Sequence, residues 1–385
     1  MDNYHKELNE RNNFQIKDLL KILPPYCTPF INSLADSHSS NTRKKYVYYL
    51  NTFFFFLTQT NPLFKDKKPN EIPLSALGEL QAVDIEEYLA WLSAYHMPNS
   101  SGKLIRYSNA PAGKKAKLSA LRTFYDYLLR HGYLDKDPTS IVRMPVVKEK
   151  VIVALSAGQE TKLLQHIQAG KFLDGPVKEV GTKKNPRQEH TQDGIPLLSE
   201  REVKYHSLTM SRDLAIVTLL LKSGLRISEC VGLDKTSLHL DEQYVTVTRK
   251  GGNEANVIFD KAATIPLKDY IDHGRKNFPC YEEENALFLS LKGTRMTVRQ
   301  MERMIKKYSL RVLGMDITPH KFRSTLATSM YQATNDVLAV AEQLGHSSTD
   351  TTAKHYAKTD LRHQRDAMKQ YNEKRKQELI NEYRN

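Results

Sequence analysis

The stretch SRDLAIVTLLLKSGLRISECVGL, residues 211–233, combines an apolar helix with a charged turn. Its first half carries apolar residues on every side, which is typical of a helix in the interior of a domain. We expect this helix to begin at Ser211 and to end at Gly224, because glycine readily adopts the left-handed backbone that terminates many helices. Arg226 follows at the end of the predicted helix. The stretch therefore predicts a helical domain with a basic side chain beside its core.

The surrounding segments predict a second domain that is mostly helical and contains a small antiparallel sheet. A helix begins at Ser156 in a capping-box pattern. The stretch QYVTVTRKGGNEANVIFD, residues 243–260, predicts a β-hairpin with glycines at its tip, and ALFLS, residues 286–290, predicts a third strand. Residues 297–383 have a helical pattern. Residues 170–207 have no clear period and predict a long loop.

Upstream of this domain, the pattern predicts an all-helical, basic first domain. Apolar residues at helical spacing indicate helices over residues 41–60, 83–96 and 113–134. Asp84 is the predicted N-cap of the second of these helices. We find no strand pattern before residue 150, so the fold class is mainly α, with the sheet confined to the second domain.

Composition shifts divide the chain into five parts. They are a polar leader (1–21), the helical first domain (22–145), a linker (146–155), the second domain (156–358) and a charged C-terminal tail (359–385).

The composition indicates a globular protein with a polyanionic partner. The chain has 385 residues, of which 40% are hydrophobic, and its net charge is +13. A basic surplus that is spread along the chain favours nucleic acid as the partner. No apolar run reaches 18 residues, so no membrane span is predicted. The three cysteines are far apart in sequence, which predicts neither disulfides nor a zinc site and favours the cytoplasm.

Cleavage of a phosphodiester needs cations around the phosphate oxygens, a nucleophile, and groups that accept and donate protons. The sequence gives no indication of a metal site, so such chemistry would depend on arginine, lysine and histidine side chains. Each candidate alone has a structural alternative: an arginine three residues before a glutamate is commonly an ion pair, and a lysine at a hairpin tip is commonly solvated. The candidates are Arg226, Lys250, His320, Arg323, His346 and Tyr356.

Taken in this order, the six residues resemble the pattern of the tyrosine recombinase family, the lambda-integrase-like enzymes that include Cre and the Xer proteins. GLRISECVGL resembles one box of the family, and HKFRSTLATSMY followed by VLAVAEQLGHSSTDTTAKHY resembles the other. RKGG between them is similar to the family's hairpin lysine. The likeness covers about residues 120–350. It implies a SAM-like DNA-clamp domain over residues 22–145 and an α+β catalytic domain over residues 156–358.

The resemblance implies that Tyr356 is the nucleophile. Its attack on a DNA phosphate would form a 3′-phosphotyrosyl bond and release a 5′-hydroxyl. Arg226 and Arg323 would bind the phosphate oxygens, since guanidinium groups match their geometry and stay charged. His320 would act as the general base for the tyrosine.

Three further roles follow from the same resemblance. His346 would donate a hydrogen bond to the phosphate, and Lys250 would protonate the departing 5′-oxygen. Glu229 would orient the site without reacting. His355, next to the tyrosine, is not expected to belong to the site. The bond energy stays in the phosphotyrosyl ester, so neither cofactor, metal nor ATP is expected.

The implied partners are double-stranded DNA recombination sites, on which four copies of the chain form a tetramer, with accessory segregation or excision factors. The tail 359–385 is either a docking helix for a neighbouring subunit or a charged, frayed helix. Three biological readings stay open. The chain resolves chromosome dimers as Xer proteins do, serves as the integrase of a phage or mobile element, or is an inactive DNA-binding protein with the same fold.

Overall fold

The structure is a computed structural model, and the chain divides into two compact units, residues 1–150 and 151–385. The described residues are 3–65, 67–99, 101–148, 154–169, 205–249 and 252–345, with the short stretches 368–369, 371–373 and 375–376. The functions expected of the five sequence parts stay predictions.

The described part of the first unit contains helices and one hairpin. Its elements are α1 (Asn3–Leu20), α2 (Cys27–Ser33), α3 (Ser40–Thr60), α4 (Leu74–Glu79), α5 (Ala82–Trp91), β1 (Tyr95–Pro98), β2 (Leu104–Tyr107) and α6 (Pro111–Arg130).

The central helix α3 begins where its sequence provides a cap. The Ser39 hydroxyl accepts a hydrogen bond from the Thr42 main-chain N–H at 3.3 Å, which satisfies one of the N–H groups that a helix start leaves unpaired. Its aromatic face is buried. Phe53 packs edge-on against Tyr88 of α5 with 5.2 Å between ring centroids. The apolar spacing within residues 41–60 therefore decides which face of α3 enters the core.

The N-terminal residues, expected as a polar leader, form α1 and join this core. Ile16 is 4% exposed and belongs to the apolar cluster of the first unit. The buried Asn12 side-chain amide donates to the Ser40 hydroxyl at 3.2 Å, and that hydroxyl donates to the side-chain Oδ1 of Asn9 at 2.7 Å. Polar side chains thus attach α1 to the start of α3, which apolar periodicity does not reveal.

The prediction that the first domain is all-helical is wrong in one place. Strands β1 and β2 pair in antiparallel register, with Tyr95 opposite Tyr107. The Asn99 side chain closes the turn by accepting from the Ser101 and Lys103 main-chain N–H groups, each at 3.0 Å. Every residue of β2 is exposed, so the hairpin has no apolar alternation for a pattern search to detect.

Two predicted helix starts are also wrong. Asp84 is not the N-cap of α5 but its third residue, from which the carboxylate accepts the Gln81 main-chain N–H at 2.7 Å. Ser211 lies inside a helix that begins five residues earlier, at His206, and it is buried. In both cases the polar residue near the start of the apolar run lies inside the helix and not at its cap.

The described part of the second unit is mostly helical around a small antiparallel sheet, which confirms the predicted fold class. Its strands β3 (Leu238–His239), β4 (Tyr244–Thr248) and β5 (Glu254–Ile258) are neighbours in this order. The elements are α7 (Ala157–Ala169), α8 (His206–Ser223), α9 (Ile227–Gly232), β3 (Leu238–His239), β4 (Tyr244–Thr248), β5 (Glu254–Ile258), α10 (Thr264–Asp269), α11 (Val298–Leu313), α12 (Pro319–Thr334) and α13 (Val337–Leu344).

Both units also contain short 3₁₀ or π-helical turns. The 3₁₀ turns are Pro69–Glu71, Lys235–Ser237, Lys261–Ala263 and Arg275–Asn277, and a π-helical turn spans Tyr270–Gly274. None of the helices that the structure describes is both long and apolar enough to span a membrane.

The capping box and the hairpin of the second domain are confirmed. Ser156 and Gln159 exchange hydrogen bonds, since the Ser156 N–H donates to Gln159 Oε1 at 3.0 Å and the Gln159 N–H donates to Ser156 Oγ at 3.3 Å. Strands β4 and β5 pair from Tyr244 opposite Ile258 to Thr248 opposite Glu254.

The predicted third strand at residues 286–290 is wrong. The third strand is β3, and residues 286–290 form only isolated bridges at Ala286 and Leu289. Their main-chain groups are satisfied largely by side chains. Arg275 donates to the carbonyls of Ala286 and Leu287, and Tyr270 Oη accepts from the Leu289 N–H. The segment is apolar because it is buried, not because it pairs in a ladder.

A buried ionic cluster supports this segment from α8. The Arg212 guanidinium contacts Asp213 Oδ1 at 2.6 Å and donates to the Leu289 carbonyl at 2.7 Å. The Tyr308 hydroxyl of α11 donates a hydrogen bond to Asp213 Oδ2 at 2.8 Å. Arg212, Asp213 and Tyr308 are 6%, 1% and 0% exposed, so neither charge has water as an alternative partner.

We predict that Asp213→Ala lowers the free energy of unfolding by about 3–5 kcal/mol, because it leaves a guanidinium buried without its carboxylate. Tyr308→Phe removes one hydrogen bond from the same carboxylate and should lower it by only about 1–3 kcal/mol. Denaturant unfolding of the full chain, followed by circular dichroism, measures both changes. Equal losses in the two variants would contradict the assignment of Asp213 as the main partner of Arg212.

Candidate active site

Three of the six predicted catalytic residues lie in the part of the chain that the structure describes: Arg226, His320 and Arg323. The other three, Lys250, His346 and Tyr356, lie outside the described residues. So do most of the predicted loop 170–207 and most of the tail. The residues directly before Lys250 and His346, Arg249 and Gly345, are described, and their contacts are given below.

A sharp turn after α8 presents Arg226. Gly224 caps the helix with φ +67°, the left-handed conformation expected from the sequence. A Cβ atom at this position would lie 3.0 Å from Leu326 Cδ2 of α12 and 3.0 Å from Leu344 Cδ2 of α13. Both the left-handed backbone and the close packing of the two helices on the turn therefore favour glycine here.

Glu229 holds Arg226 by its main chain and by its side chain. The Arg226 main-chain N–H donates to Glu229 Oε2 at 2.8 Å, and Arg226 Nη1 contacts Oε1 of the same carboxylate at 2.7 Å. The Glu229 side chain is only 6% exposed, whereas that of Arg226 is 42% exposed. One edge of the guanidinium is thus fixed by a buried carboxylate while much of the side chain stays open to solvent.

Helix α12 presents Arg323 and His320. Pro319 occupies its first turn, where the fixed φ of proline favours a helix start. His320 is exposed, and Arg323, one turn later, is 4% exposed. Arg323 Nη1 donates to the Gly224 carbonyl at 2.7 Å, and Nη2 donates to the Leu344 carbonyl. The buried guanidinium connects the turn before Arg226 with the end of α13.

The last turn of α13 brings the two arginines of the motif together. Arg226 Nη2 donates to the Gly345 carbonyl at 3.3 Å, and Arg323 donates to the carbonyl of the residue before it. Gly345 caps α13 in the left-handed conformation, with φ +60°. Two guanidinium groups that are 97 positions apart in sequence therefore meet on adjacent carbonyls, directly before His346.

Two further residues at this place were missed by the sequence reasoning. Gln343 Nε2 donates to the Ser223 carbonyl at 2.9 Å and to the Ile258 carbonyl at 2.6 Å. Arg249, the neighbour of Lys250, donates from Nη2 to the Gln343 carbonyl at 3.5 Å. Only the adjacency of Arg249 to the hairpin lysine could have drawn attention to it, and no sequence signal marks Gln343.

The arrangement is suited to binding an anion. Guanidinium groups form directed, charge-assisted hydrogen bonds to phosphate and carboxylate oxygens. Arg226 is positioned for this task because Glu229 fixes its orientation and its side chain reaches solvent. The structure brings Arg226 and Arg323 together and places His320 on the helix of Arg323. The catalytic roles of all six residues stay predictions.

Comparison with known proteins confirms the family resemblance. The model of the phage integrase family matches residues 197–363. Tyrosine recombinase XerS of several Streptococcus pneumoniae strains is 31% identical over 344 residues, which cover 88% of this chain and 93% of the relative. The match thus includes most of both units and is not confined to the two boxes.

Solved structures have the same fold at lower identity. XerH site-specific recombinase bound to a palindromic difH substrate in a post-cleavage complex has a TM-score of 0.57 at 16% identity, covering 88% of this chain and 93% of that chain. The Tn1549 transposon integrase in complex with a circular intermediate DNA has a TM-score of 0.54 at 19% identity, covering 89% and 98%. These likenesses support the mainly helical fold.

We predict that Gly224→Ala destabilises the protein more than Gly314→Ala does. Gly314 caps α11 with nearly the same φ, +65°, but a Cβ there meets nothing within 4 Å. Gly314→Ala should lower the free energy of unfolding by about 1–2 kcal/mol, from backbone strain alone. At Gly224 we expect about 1–3 kcal/mol in addition, because the new methyl group overpacks the contact with α12 and α13.

Thermal unfolding of the two variants provides the measurement, and Gly314→Ala is its control. Equal shifts in Tm would mean that α12 and α13 move to accommodate a methyl group at the turn at no cost in stability. Close packing would then not fix the position of Arg226.

Proposed function

Because the chain belongs to the phage integrase family of tyrosine recombinases and is a Xer-like site-specific recombinase, we propose that it cuts and rejoins DNA through a 3′-phosphotyrosyl intermediate on Tyr356. The observation that carries this proposal is the convergence of Arg226 and Arg323 on the end of α13, immediately before His346. Two cations from distant segments at one place are what a scissile phosphate requires.

The proposed reaction exchanges one phosphoester for another. The Tyr356 phenol oxygen attacks the scissile phosphorus while His320 accepts the phenol proton. The bond from phosphorus to the 5′-oxygen breaks, and Lys250 gives that oxygen its proton. The products are a 3′-phosphotyrosyl ester and a free 5′-hydroxyl. A 5′-hydroxyl of the partner duplex then attacks the ester by the reverse sequence, which restores the tyrosine and joins the strands.

The arginines and His346 carry the electrostatic part of the proposal. Negative charge builds up on the non-bridging oxygens as the phosphorus becomes five-coordinate, and donors already in position stabilise it without reorganising. We assign this task to Arg226, Arg323 and His346. The buried carboxylate of Glu229 supports the assignment for Arg226, since it fixes the guanidinium before any substrate is present.

The proposed partner is double-stranded DNA. The net charge of +13 favours it, and the XerH and Tn1549 integrase structures both hold DNA. We propose further that four copies assemble on two paired sites in the cytoplasm and that chromosome-dimer resolution is the role. The likeness to XerS supports that role. A gene at the end of an inserted element would instead indicate a mobile-element integrase.

We predict that the protein forms a covalent adduct with nicked DNA that carries its recombination site, in the presence of EDTA. The nick lets a short 5′-hydroxyl fragment diffuse away, so that the phosphotyrosyl intermediate accumulates. A denaturing gel should resolve a protein–DNA band for the wild type and none for Tyr356→Phe. That variant keeps the ring and lacks only the nucleophilic oxygen.

Arg226→Lys serves as the matched control, because it keeps the charge and loses the planar fork that Glu229 orients. It should bind DNA and form the adduct more slowly, by about 10²-fold or more if it removes an interaction made mainly in the transition state. An adduct formed by Tyr356→Phe would refute the assignment of the nucleophile. An adduct that disappears in EDTA would refute the metal-independent mechanism.

We also predict that cutting the chain after Lys358 leaves binding to a single site unchanged and impairs assembly on paired sites. The reason is that residues 359–385 would contact a neighbouring subunit rather than DNA. Mobility-shift titrations with one-site and two-site DNA measure the two properties separately. If the full chain and the shortened chain assemble on two-site DNA at the same protein concentration, the docking role of the tail is contradicted.

A further inference from the structure

The side chain of Arg249 connects the β4–β5 hairpin to the last turn of α13. Arg249 is the final described residue before the hairpin tip, and its main-chain N–H donates to the Asn253 carbonyl at 2.8 Å. Its main chain is therefore paired within the hairpin. Its side chain reaches away from the hairpin and donates from Nη2 to the Gln343 carbonyl at 3.5 Å.

Gly345 provides the space in which this guanidinium lies. A Cβ atom built on Gly345 would overlap the Nη1, Cζ and Nε atoms of Arg249. The Arg249 Nε atom is buried and has no hydrogen-bond partner among the described residues. The guanidinium thus occupies the space next to Gly345 that a side chain would fill, at the residue that immediately precedes His346.

Gln343 attaches the other strand of the same hairpin. Its side-chain amide donates to the Ile258 carbonyl, at the end of β5, and to the Ser223 carbonyl, at the end of α8. Both strands of the hairpin are therefore bound to the turn of α13 on which Arg226 and Arg323 also converge. We use the term hairpin clasp for Arg249, Gln343 and Gly345.

We propose that Arg249 is a positioning residue for catalysis: through the hairpin clasp it restricts the region that the neighbouring Lys250 can reach. The inference rests on the proposed role of Lys250 as the acid that protonates the 5′-oxygen. Consecutive Cα atoms are only about 3.8 Å apart, so fixing the main chain and side chain of Arg249 limits the region that Lys250 can reach. Proton transfer demands such placement, because donor and acceptor must come within hydrogen-bond distance.

The consequence is a specific defect. Without its side chain, residue 249 loses its contact with the last turn of α13. The contacts of Arg226 with Glu229 and of Arg323 with Gly224 do not involve Arg249. Protonation of the leaving group should therefore slow, and phosphate binding should not. If Arg249 served only the stability of the fold, its loss would instead weaken phosphate binding as well as slow the protonation of the leaving group.

A substrate whose leaving group needs no proton separates these possibilities. In nicked DNA with sulfur in place of the bridging 5′-oxygen, the leaving group is a thiol, whose ordinary pKa near 8.5 lets it depart as the thiolate. We expect Arg249→Ala to form the covalent adduct about 10- to 100-fold more slowly than the wild type on the oxygen substrate, within the range that general acid catalysis contributes. On the sulfur substrate its rate should return to within about 3-fold of the wild-type rate, since no acid is needed there.

Two control variants make the outcomes distinct. Lys250→Ala should show the same recovery with sulfur, whereas Arg323→Ala should stay slow on both substrates. No recovery for Lys250→Ala would overturn the proposed role of the lysine. Recovery for Lys250→Ala without recovery for Arg249→Ala would overturn the positioning role of Arg249 alone, as would a wild-type rate of Arg249→Ala on the oxygen substrate.

Gly345→Ala tests the clasp from its other side. The methyl group of the new alanine should displace the Arg249 guanidinium. Gly345→Ala should therefore slow adduct formation on the oxygen substrate by a larger factor when it is introduced into the wild type than when it is introduced into Arg249→Ala. Affinity for DNA and Tm are recorded for every variant to identify those that fail to fold. Equal factors in the two backgrounds would mean that Arg249 and Gly345 act independently, which contradicts the clasp.

Discussion

Every α-helix ends in carbonyl oxygens that have no partner within the helix, and in α13 arginines from three other segments supply the missing donors. These carbonyls also carry the partial negative charge of the helix end, which favours cationic partners. The pairs are Gln343 with Arg249, Leu344 with Arg323, and Gly345 with Arg226. The hairpin, helix α12 and the turn before α9 are thereby attached to one point, and the candidate site is built around it.

The same device organises the rest of the second unit, where guanidinium groups replace strands as partners of irregular main chain. Arg275 donates to four carbonyls of residues 281–287, and Arg212 donates to that of Leu289. Arg295 donates to the carbonyls of Val231 and Leu233. A planar guanidinium has five N–H donors in a fixed fork, against three on a lysine ammonium group, so one arginine can satisfy more carbonyls. In the described part of the unit, arginines thus pair with main-chain carbonyls that lie outside the β3–β4–β5 sheet.

This dependence on side chain–main chain contacts explains which features the sequence predicted. Helices such as α3 follow from local apolar spacing, and the ends at Gly224 and Ser156 follow from local cap chemistry, so all of these could be predicted. The β1–β2 hairpin is exposed and has no alternation, although the turn around Asn99 offered a local signal. The contacts of Gln343 with residues 223 and 258 depend on the complete fold, so no local pattern indicates them. The motif identified the arginines, but only the fold reveals what holds them.

The two arginines of the motif are chemically identical, yet the fold gives them different surroundings. Arg226 is fixed at one edge by Glu229 and is 42% exposed, so an anion can approach it without breaking that ion pair. Arg323 is 4% exposed and spans the carbonyls of Gly224 and Leu344. Only an anion that takes the N–H group now donated to Leu344 competes with the end of α13 for that donor. The surroundings of Arg323 therefore include the end of α13, whereas Arg226 is oriented by a carboxylate of its own helix.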